Sequence, residues 1–389
     1  MRIGLITSTR ADFGLLKNLI FSLKNTKNFN LKIIASGSHF SKKHGNSYEE
    51  INENNIKIDY KIKCKFENYE PKKLSKVFSE TVEKSSRIFG KFQPEILIVL
   101  GDRYEVLASA VTAHMFRIPI AHIHGGEVTE GVIDDAFRHS ITKLSHIHFV
   151  ANKIYKNRVI QLGENPKNVH VVGGLGVDSI KAQKLLSKKD LEKKLNLKFR
   201  KKNFIINFHP ETINKRKAKI QINELLSSLK KFKNVGFFFT APGADLESGI
   251  IMRIIKRFVN KNKNAFLFKS LGQKNYFSLL KVVDCMIGNS SSGVLEMPIF
   301  KKSTVNIGIR QKGREFSKSI ISTEIDKIKI TKAIKKAISN NFKKTIKNAS
   351  HPYGKYGATK KILKILKKNK NKKIFYKKFF DLKLSNLDN

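Results

Sequence analysis

A chain of 389 residues that is 40% hydrophobic is long enough for two domains, each burying its own core. Its formal net charge of +46 raises a nucleic-acid reading, but the 77 Lys and Arg are scattered from end to end, the pattern of Lys used as a generic solvated residue and not of one binding patch. The two cysteines, Cys64 and Cys285, form no Cys-x-x-Cys pair, which argues against a disulfide or zinc framework and for free thiols in a reducing compartment.

The N-terminal MRIGLITSTRADFG meets Arg10 and Asp12 before its apolar run reaches the length of a signal core or membrane span, so a soluble, cytoplasmic protein is expected. IGLIT predicts a strand, followed by a helix over 12–25, the strand LKIIAS, a helix over 72–90, the strand EILIVLG, a helix over 103–116 and the strand IPIAHIHGG. After HIHFVAN and NVHVVGG the pattern restarts with NFIINFHP, VGFFFTAP, AFLFKSL, DCMIGNS and STVNIG, each followed by a helix-like segment. Such alternation predicts an α/β protein of two Rossmann-like, doubly wound domains facing a cleft. The expected boundaries are 1–170 and 171–365, with the join inside 163–185 where GENPKN and GGLG give turn signals, and a basic tail at 366–389. The run KKILKILKKNKNKKIFYKKFF reads as a basic amphipathic helix docked on the protein's own core, in preference to a membrane or RNA element.

Ligands of doubly wound sheets bind outside the carboxyl ends of the strands. Polar residues fall there throughout: Arg10 after IGLIT, Asp102 and Arg103 after EILIVLG, His124 to Glu127 after IPIAHI, His209 after FIINF, and NSSSG after DCMIG. NSSSG, residues 289–293, offers amides, hydroxyls and a helix start suited to phosphate, or a simple serine N-cap. Glu296, one turn on, suits a ribose diol. Arg10, Arg103 and Arg310 suit diphosphate or uracil oxygens, with a surface ion pair as the alternative for any one of them.

The stretch HIHGGEVTEGVIDDAFRH, residues 122–139, is the most crowded. Asp134 is expected as a helix N-cap with Asp135 in the first turn and Arg138 paired to Asp134 at i,i+4, while Gly125, Gly126 and Gly131 allow close backbone approach to a ligand. His122, His124, Glu127 and His139 suit either metal binding or proton transfer, and the absence of a Cys or an H-E-x-x-H spacing favours proton transfer.

Together STRADFG, GDRYE at 101, HIHGGEVTEGVIDDAFRHSITKLSH from 122, FHPET at 208, GNSSSGVLEMP at 288, NIGIRQKGR at 306 and HPYGKYGAT at 351 resemble the hydrolysing UDP-N-acetylglucosamine 2-epimerases of sialic-acid-type sugar biosynthesis. The resemblance runs from residue 1 to about 365. It implies a GT-B-like pair of Rossmann domains, a UDP-sugar substrate, no metal or nicotinamide, and a homodimer or homotetramer, while the scattered charge and short apolar runs argue against a nucleic-acid or membrane partner. It also implies anti elimination of UDP to a 2-acetamidoglycal followed by hydration with inversion at C2. By resemblance Asp102, Asp134 and Asp135 are acids and bases oriented by Arg138, and Arg10, Arg103, His209, Ser270, Ser290, Ser291, Glu296 and Arg310 hold UDP.

Two departures stand out. Some members carry a glutamate where this chain has His124, so either His124 or Glu127 takes that proton-transfer role, or the pocket takes a different sugar. In TAPGAD, relatives often have an Asn near Gly243 that contacts the nucleotide. The expected substrate is UDP-N-acetylglucosamine, with UDP-N,N'-diacetylbacillosamine, which differs at C4 and C6, as its rival. A GT-B glycosyltransferase and a basic RNA-binding protein are the readings from other classes. The first would release no free sugar from UDP-sugar and water, and the second would need stacked aromatics beside its charge.

Overall fold

The structure, a computed structural model, describes residues 1–40, 48, 51, 55–64, 70–130, 132–211, 217–242, 247–370 and 375–382. Gly131, Thr212 of FHPET, the Gly243 position of TAPGAD, and tail residues 371–374 and 383–389 lie outside the described residues. The chain divides into two compact units. One combines Met1–Glu127, Ile133–Ser179 and the segment from Tyr353 onward, and the other combines Val128–Val132 with Ile180–Pro352.

The first unit is built on seven parallel strands: β1 (Arg2–Thr7), β2 (Asn30–Ala35), β3 (Tyr60–Lys61), β4 (Ile96–Leu100), β5 (Ile120–Ile123), β6 (Ile147–Val150) and β7 (Val169–Val171). Their order is β3-β2-β1-β4-β5-β6-β7. β4, β5 and β6 are buried at every position, as continuous apolar strands inside a parallel sheet must be. Among the helices that follow these strands are α1 (Arg10–Lys24), α2 (Pro71–Phe92), α3 (Tyr104–Met115), α4 (Asp134–Leu144) and α5 (Lys153–Gln161). The first three fall within a residue or two of the predicted spans. α1 opens with a capping box in which the Thr9 hydroxyl accepts from Asp12 N at 3.1 Å and the Asp12 carboxylate accepts from Thr9 N at 3.0 Å.

The second unit has six parallel strands, β8 (Lys202–Asn207), β9 (Val235–Thr240), β10 (Ala265–Phe268), β11 (Cys285–Gly288), β12 (Ser303–Ile307) and β13 (Ile320–Thr323), in the order β10-β9-β8-β11-β12-β13. Strand order reverses between β1 and β4 in one sheet and between β8 and β11 in the other. Those reversals open the crevices in which ligands of this architecture sit. The fold is the expected pair of doubly wound α/β domains, and β3 and β13, short edge strands, are the additions that the sequence reading did not contain.

The expected boundaries differ from the observed ones in a way the packing explains. Residues 171–179 and 353–365 group with the first unit, not the second. The returning helix Ala358–Lys368 buries Ala358, Ile362 and Leu366 in the same core as Ile3, Leu5 and Phe13. Its N-terminus is capped across the sequence by Asp178, whose carboxylate accepts from Gly357 N at 2.7 Å and Thr359 N at 2.7 Å. The basic amphipathic run therefore docks on the core as a helix only as far as Lys368, and residues 375–382 are not helical. Cys64 and Cys285 are free, and burial pushes the Cys285 thiol up to about 12. Among the described residues no helix is long and apolar enough to cross a membrane.

β11 ends on Gly288 at φ +142°, where a Cβ would stand 1.9 Å from the Asn207 main-chain oxygen on the neighbouring strand. Gly288→Ala must therefore separate β8 from β11 at the very point where their loops diverge. The substitution is expected to cost about 2 kcal/mol or more in urea unfolding, and a loss within a few tenths would show that the strands part freely there.

Candidate active site

In the first unit one side chain gathers the crowded stretch. Arg138 is on the inner face of α4 and 2% exposed. Its Nη1 donates to Asp135 Oδ1 at 3.0 Å and to the Glu127 main-chain oxygen at 2.9 Å, and its Nη2 donates to Asp102 Oδ2. A single guanidinium thus ties the loop after β4, the loop after β5 and the first turn of α4. The expected i,i+4 pair with Asp134 is not what forms. The fork reaches Asp135 three residues back and Asp102 across the loop, where two donors meet acceptors at once.

Asp134 is also not the N-cap. It is the first helical residue, Ile133 occupies the cap position in the right-handed region, and no side chain caps the helix. The carboxyl of Asp134 bonds to its own backbone amide and does not act as an N-cap. Burial, followed by the neighbouring Asp102 charge, pushes it up to about 6.

His124 and Glu127 form a pair. Glu127, 3% exposed, accepts from His124 Nδ1 at 2.6 Å, and His124 is 12% exposed. A carboxylate can only accept, so Nδ1 carries a proton, and in the neutral ring Nε2 then keeps its lone pair. That Nε2 is buried and has no hydrogen-bond partner among the described residues. His124 adopts φ +67°, held by its amide donating to the Phe149 oxygen at 3.0 Å, and its ring stacks 6.5 Å from Tyr353. A non-glycine residue in this region stores backbone strain, of the sort found where a side chain must be aimed.

Other residues of the stretch are structural. His122 Nε2 donates to the Gly101 oxygen at 2.8 Å and burial brings its ring down to about 3, so it is neutral and its Nδ1 accepts from Thr142 Oγ1 at 3.2 Å. Both nitrogens are engaged, which removes His122 as a metal ligand. His139 lies 3.5 Å from Asp135 Oδ2 and burial lowers its pKa. Among the described residues no group of His, Cys, Asp or Glu has the arrangement to hold a metal ion. Arg103 donates from Nε to Glu105 Oε1 at 2.9 Å, and Arg10 at the start of α1 lies close enough to His39 to help depress that ring's pKa, which burial chiefly brings to about 4.

In the second unit the gathering residue is Asn289, fully buried, which the sequence reading passed over as the first letter of NSSSG. Its side chain clasps the His209 backbone from both sides, accepting from His209 N at 2.7 Å and donating to His209 O at 2.8 Å. Its main-chain oxygen accepts from Arg310 Nη1 at 3.2 Å and Gln311 Nε2 at 3.0 Å. Glu211 adds a second tie by accepting from the amides of Ile309 at 2.6 Å and Arg310 at 3.1 Å. Gly308 is required for it, because a Cβ at its φ of +77° would fall 2.1 Å from Glu211 Oε1. The loops after β8, β11 and β12 are so joined, bringing His209, Ser290, Ser291 and Arg310 to one switch point.

The helix expected after NSSSG is brief, Ser292–Leu295, continuing as a 3-10 turn over Met297–Phe300, and Ser291 makes no side-chain cap. Ser292 instead meets the Tyr276 hydroxyl, which accepts from Asn207 Nδ2 at 2.7 Å, and Asn207 in turn accepts from Thr240 Oγ1 at 2.6 Å. Glu296 has its pKa raised by burial, and its Oε2 is buried with no hydrogen-bond partner among the described residues. Ser270 stands exposed after the edge strand β10, its hydroxyl accepting from Gly272 N at 3.3 Å.

A family model described as UDP-N-acetylglucosamine 2-epimerase matches residues 22–367. The chain is 41% identical over 383 residues to the GDP/UDP-N,N'-diacetylbacillosamine 2-epimerase (hydrolyzing) of Campylobacter jejuni subsp. jejuni serotype O:2, covering 98% of this chain and 99% of that one. It is 35% identical over 381 residues to polysialic acid biosynthesis protein P7 of Escherichia coli, covering 97% and 96%. In fold it matches the crystal structure of UDP-GlcNAc 2-epimerase from Neisseria meningitidis bound to UDP-GlcNAc, with a TM-score of 0.82 over 95% of this chain and 100% of that one at 18% identity.

The raised Asp134 carboxyl has a consequence for stability. Its folded pKa of about 6 exceeds the ordinary 3.8, so the folded state holds the proton more tightly and stability falls as pH rises from about 4 to 6, with no further change above. Asp134→Asn is expected to flatten that window in pH-dependent urea unfolding, and an unchanged slope would mean that Asp134 titrates normally.

Proposed function

The chain belongs to the UDP-N-acetylglucosamine 2-epimerase family, and on that premise we propose that it is a hydrolysing 2-epimerase of UDP-2-acetamido sugars serving sialic-acid-type nonulosonate biosynthesis. In this reaction the C2–H and C1–O bonds break and UDP departs with the C1–O electron pair. A C1–C2 double bond forms, and water then adds OH to C1 while a proton returns to C2 on the opposite face. Two proton-transfer groups are needed around one ring.

The observation that carries the reading is the concentration of such groups about Arg138. His124, anchored by Glu127, keeps an unpartnered buried Nε2 suited to taking a proton. Asp134, pushed up to about 6, suits a group that gives one back near neutral pH. Asp102 and Asp135 share the Arg138 guanidinium, which aims them, and complete the set. For the nucleotide we assign Arg10 and Arg103 in the first unit and His209, Ser270, Ser290, Ser291, Glu296 and Arg310 in the second. Cationic groups and free amides favour a leaving diphosphate as its charge grows. The unpartnered Oε2 of Glu296 is the support for its ribose role. Two free thiols support a cytoplasmic site of action, and a homo-oligomer is part of the proposal.

The 41% identity to a relative named for the 2,4-diacetamido sugar favours UDP-N,N'-diacetylbacillosamine as substrate. UDP-N-acetylglucosamine is the second reading, favoured by the family's description.

Proton NMR in deuterium oxide with each nucleotide sugar in parallel is the test. Expected are UDP and a free manno-configured sugar deuterated at C2, with the faster substrate naming the pathway; untouched nucleotides, or a gluco product that keeps its C2 proton, would sink the reading. Asp102→Asn is expected to lower kcat by about a hundredfold or more with UDP affinity kept, since it removes a charged partner of the central guanidinium next to the acids. The kcat/KM profile is expected to bend near pH 6 in the wild type and to lose that bend in Asp134→Asn. A bend retained in that variant would assign it to another group.

A further inference from the structure

The segment 375–382 of the first unit carries none of the groups assigned to chemistry, yet one of its lysines is among the most heavily bonded side chains in that unit. Lys377 Nζ donates to the main-chain oxygens of Lys143 and Ser145, the second at 2.8 Å, and to both oxygens of Glu164 at 2.9 Å. Lys143 is in the last turn of α4 and Ser145 is its C-cap residue. Carbonyls there lack intrahelical partners, and a cation complements the negative end of the helix dipole.

Glu164 is 4% exposed and also accepts from Lys143 Nζ at 2.8 Å and His148 Nε2 at 3.0 Å. Burial alone would raise its pKa, but His148 and the two lysines outweigh it and hold the carboxyl at about 2. The segment is fastened on either side of Lys377. Phe375 packs 5.1 Å from His146, Phe380 N donates to the Gly163 oxygen at 2.9 Å, and the Lys143 ammonium lies 4.9 Å over the Phe379 ring. Neighbouring Lys378 is exposed.

We propose that Lys377 is a positioning residue for the acid site: it caps the C-terminal end of α4 and so fixes the helix whose first turns carry Asp134, Asp135 and Arg138. The inference rests on the proton-transfer reading of those residues. An eleven-residue helix spans roughly 16 Å, so Lys377 cannot touch the reacting atoms and acts through the rod alone. The same helix is gripped a second time through Thr142, which bonds to His122, and His122 lies opposite His148 in the register of β5 and β6. A slip of α4 at its Lys377 end therefore moves the Arg138 fork relative to Asp102 with little give in between.

The test uses the full-length protein with Lys377→Met, Lys377→Ala and, as control, Lys378→Met. Lys377→Met is expected to lower kcat about tenfold with KM and UDP affinity within about twofold, and Lys378→Met to leave all three unchanged. In Lys377→Ala, n-propylammonium replaces the missing atoms and is expected to restore kcat, whereas sodium at equal ionic strength is not. Wild-type kcat in Lys377→Met overturns the proposal. So does a joint loss of kcat, UDP binding and cooperative unfolding that the amine fails to restore, which would make Lys377 a fold residue only. Should the wild type cleave neither sugar nucleotide, the epimerase reading fails by itself. Hydrogen exchange of the α4 amides from Arg138 to Leu144 then decides the capping, with faster exchange in Lys377→Met expected and equal rates against it.

Discussion

The geometry of the first unit depends on one buried guanidinium. Arg138 takes a permanent charge out of water and divides it between two carboxylates and a main-chain oxygen. Burying an ion pair costs several kcal/mol of desolvation, and a well-packed apolar side chain of the same volume often stabilises a core as well or better. A net gain in stability is thus a weak reason to keep Arg138. What no apolar residue can do is fix three loop segments in register by a planar fork whose protonation does not change with pH. The arrangement is specified by geometry, and its energetic cost is borne by the large apolar core beneath β1, β4 and β5.

The second unit solves the same problem with a neutral hub. Asn289 clasps the His209 backbone and offers its main-chain oxygen to Arg310 and Gln311. The side-chain amide and the main-chain oxygen of Asn289 bring no net charge to this hub. Arg310 thereby meets a neutral acceptor in Asn289, whereas Arg138 meets two carboxylates. A hub that must aim acids is best cationic, and one that must present cations and free amides is best neutral, so the chemistry assigned to each unit follows from which hub it has.

Much of this was legible beforehand because parallel sheets write themselves plainly: continuous Ile and Val runs, crossover helices, and polar residues where strands end. Asp102 and the stretch from His124 to Glu127 follow strand ends, which are local features, while Asp135 and Arg138 are legible as the opening turns of a helix. The tail's return was not legible, because Asp178 capping the helix at Ala358 is a contact across 181 positions at its widest and leaves no periodic mark. Asn289 and Glu211 sat inside motifs that had been read as ligand contacts, and a residue that holds loops together looks the same in sequence as one that holds a ligand. The Asp134 cap failed for a different reason. Local preference favours Asp as an N-cap, but Ile133 takes that position and the Asp134 carboxyl lies buried near the Asp102 charge.

Magnitudes support that last point. Acids are favoured at helix N-termini by about 0.3–1 kcal/mol through the dipole, so Asp134 at the head of α4 should ionise more readily than usual. It does the opposite: burial and the Asp102 charge take it from 3.8 to about 6, equivalent to about 3 kcal/mol against ionisation. At the other end of α4 the balance reverses, and cations draw the buried Glu164 down to about 2. One helix of eleven residues thus stands between a carboxyl kept ready to hold a proton and a carboxylate kept charged. Burial raises both carboxyls; at Asp134 the Asp102 charge adds to it, and at Glu164 two ammoniums and an imidazole overcome it.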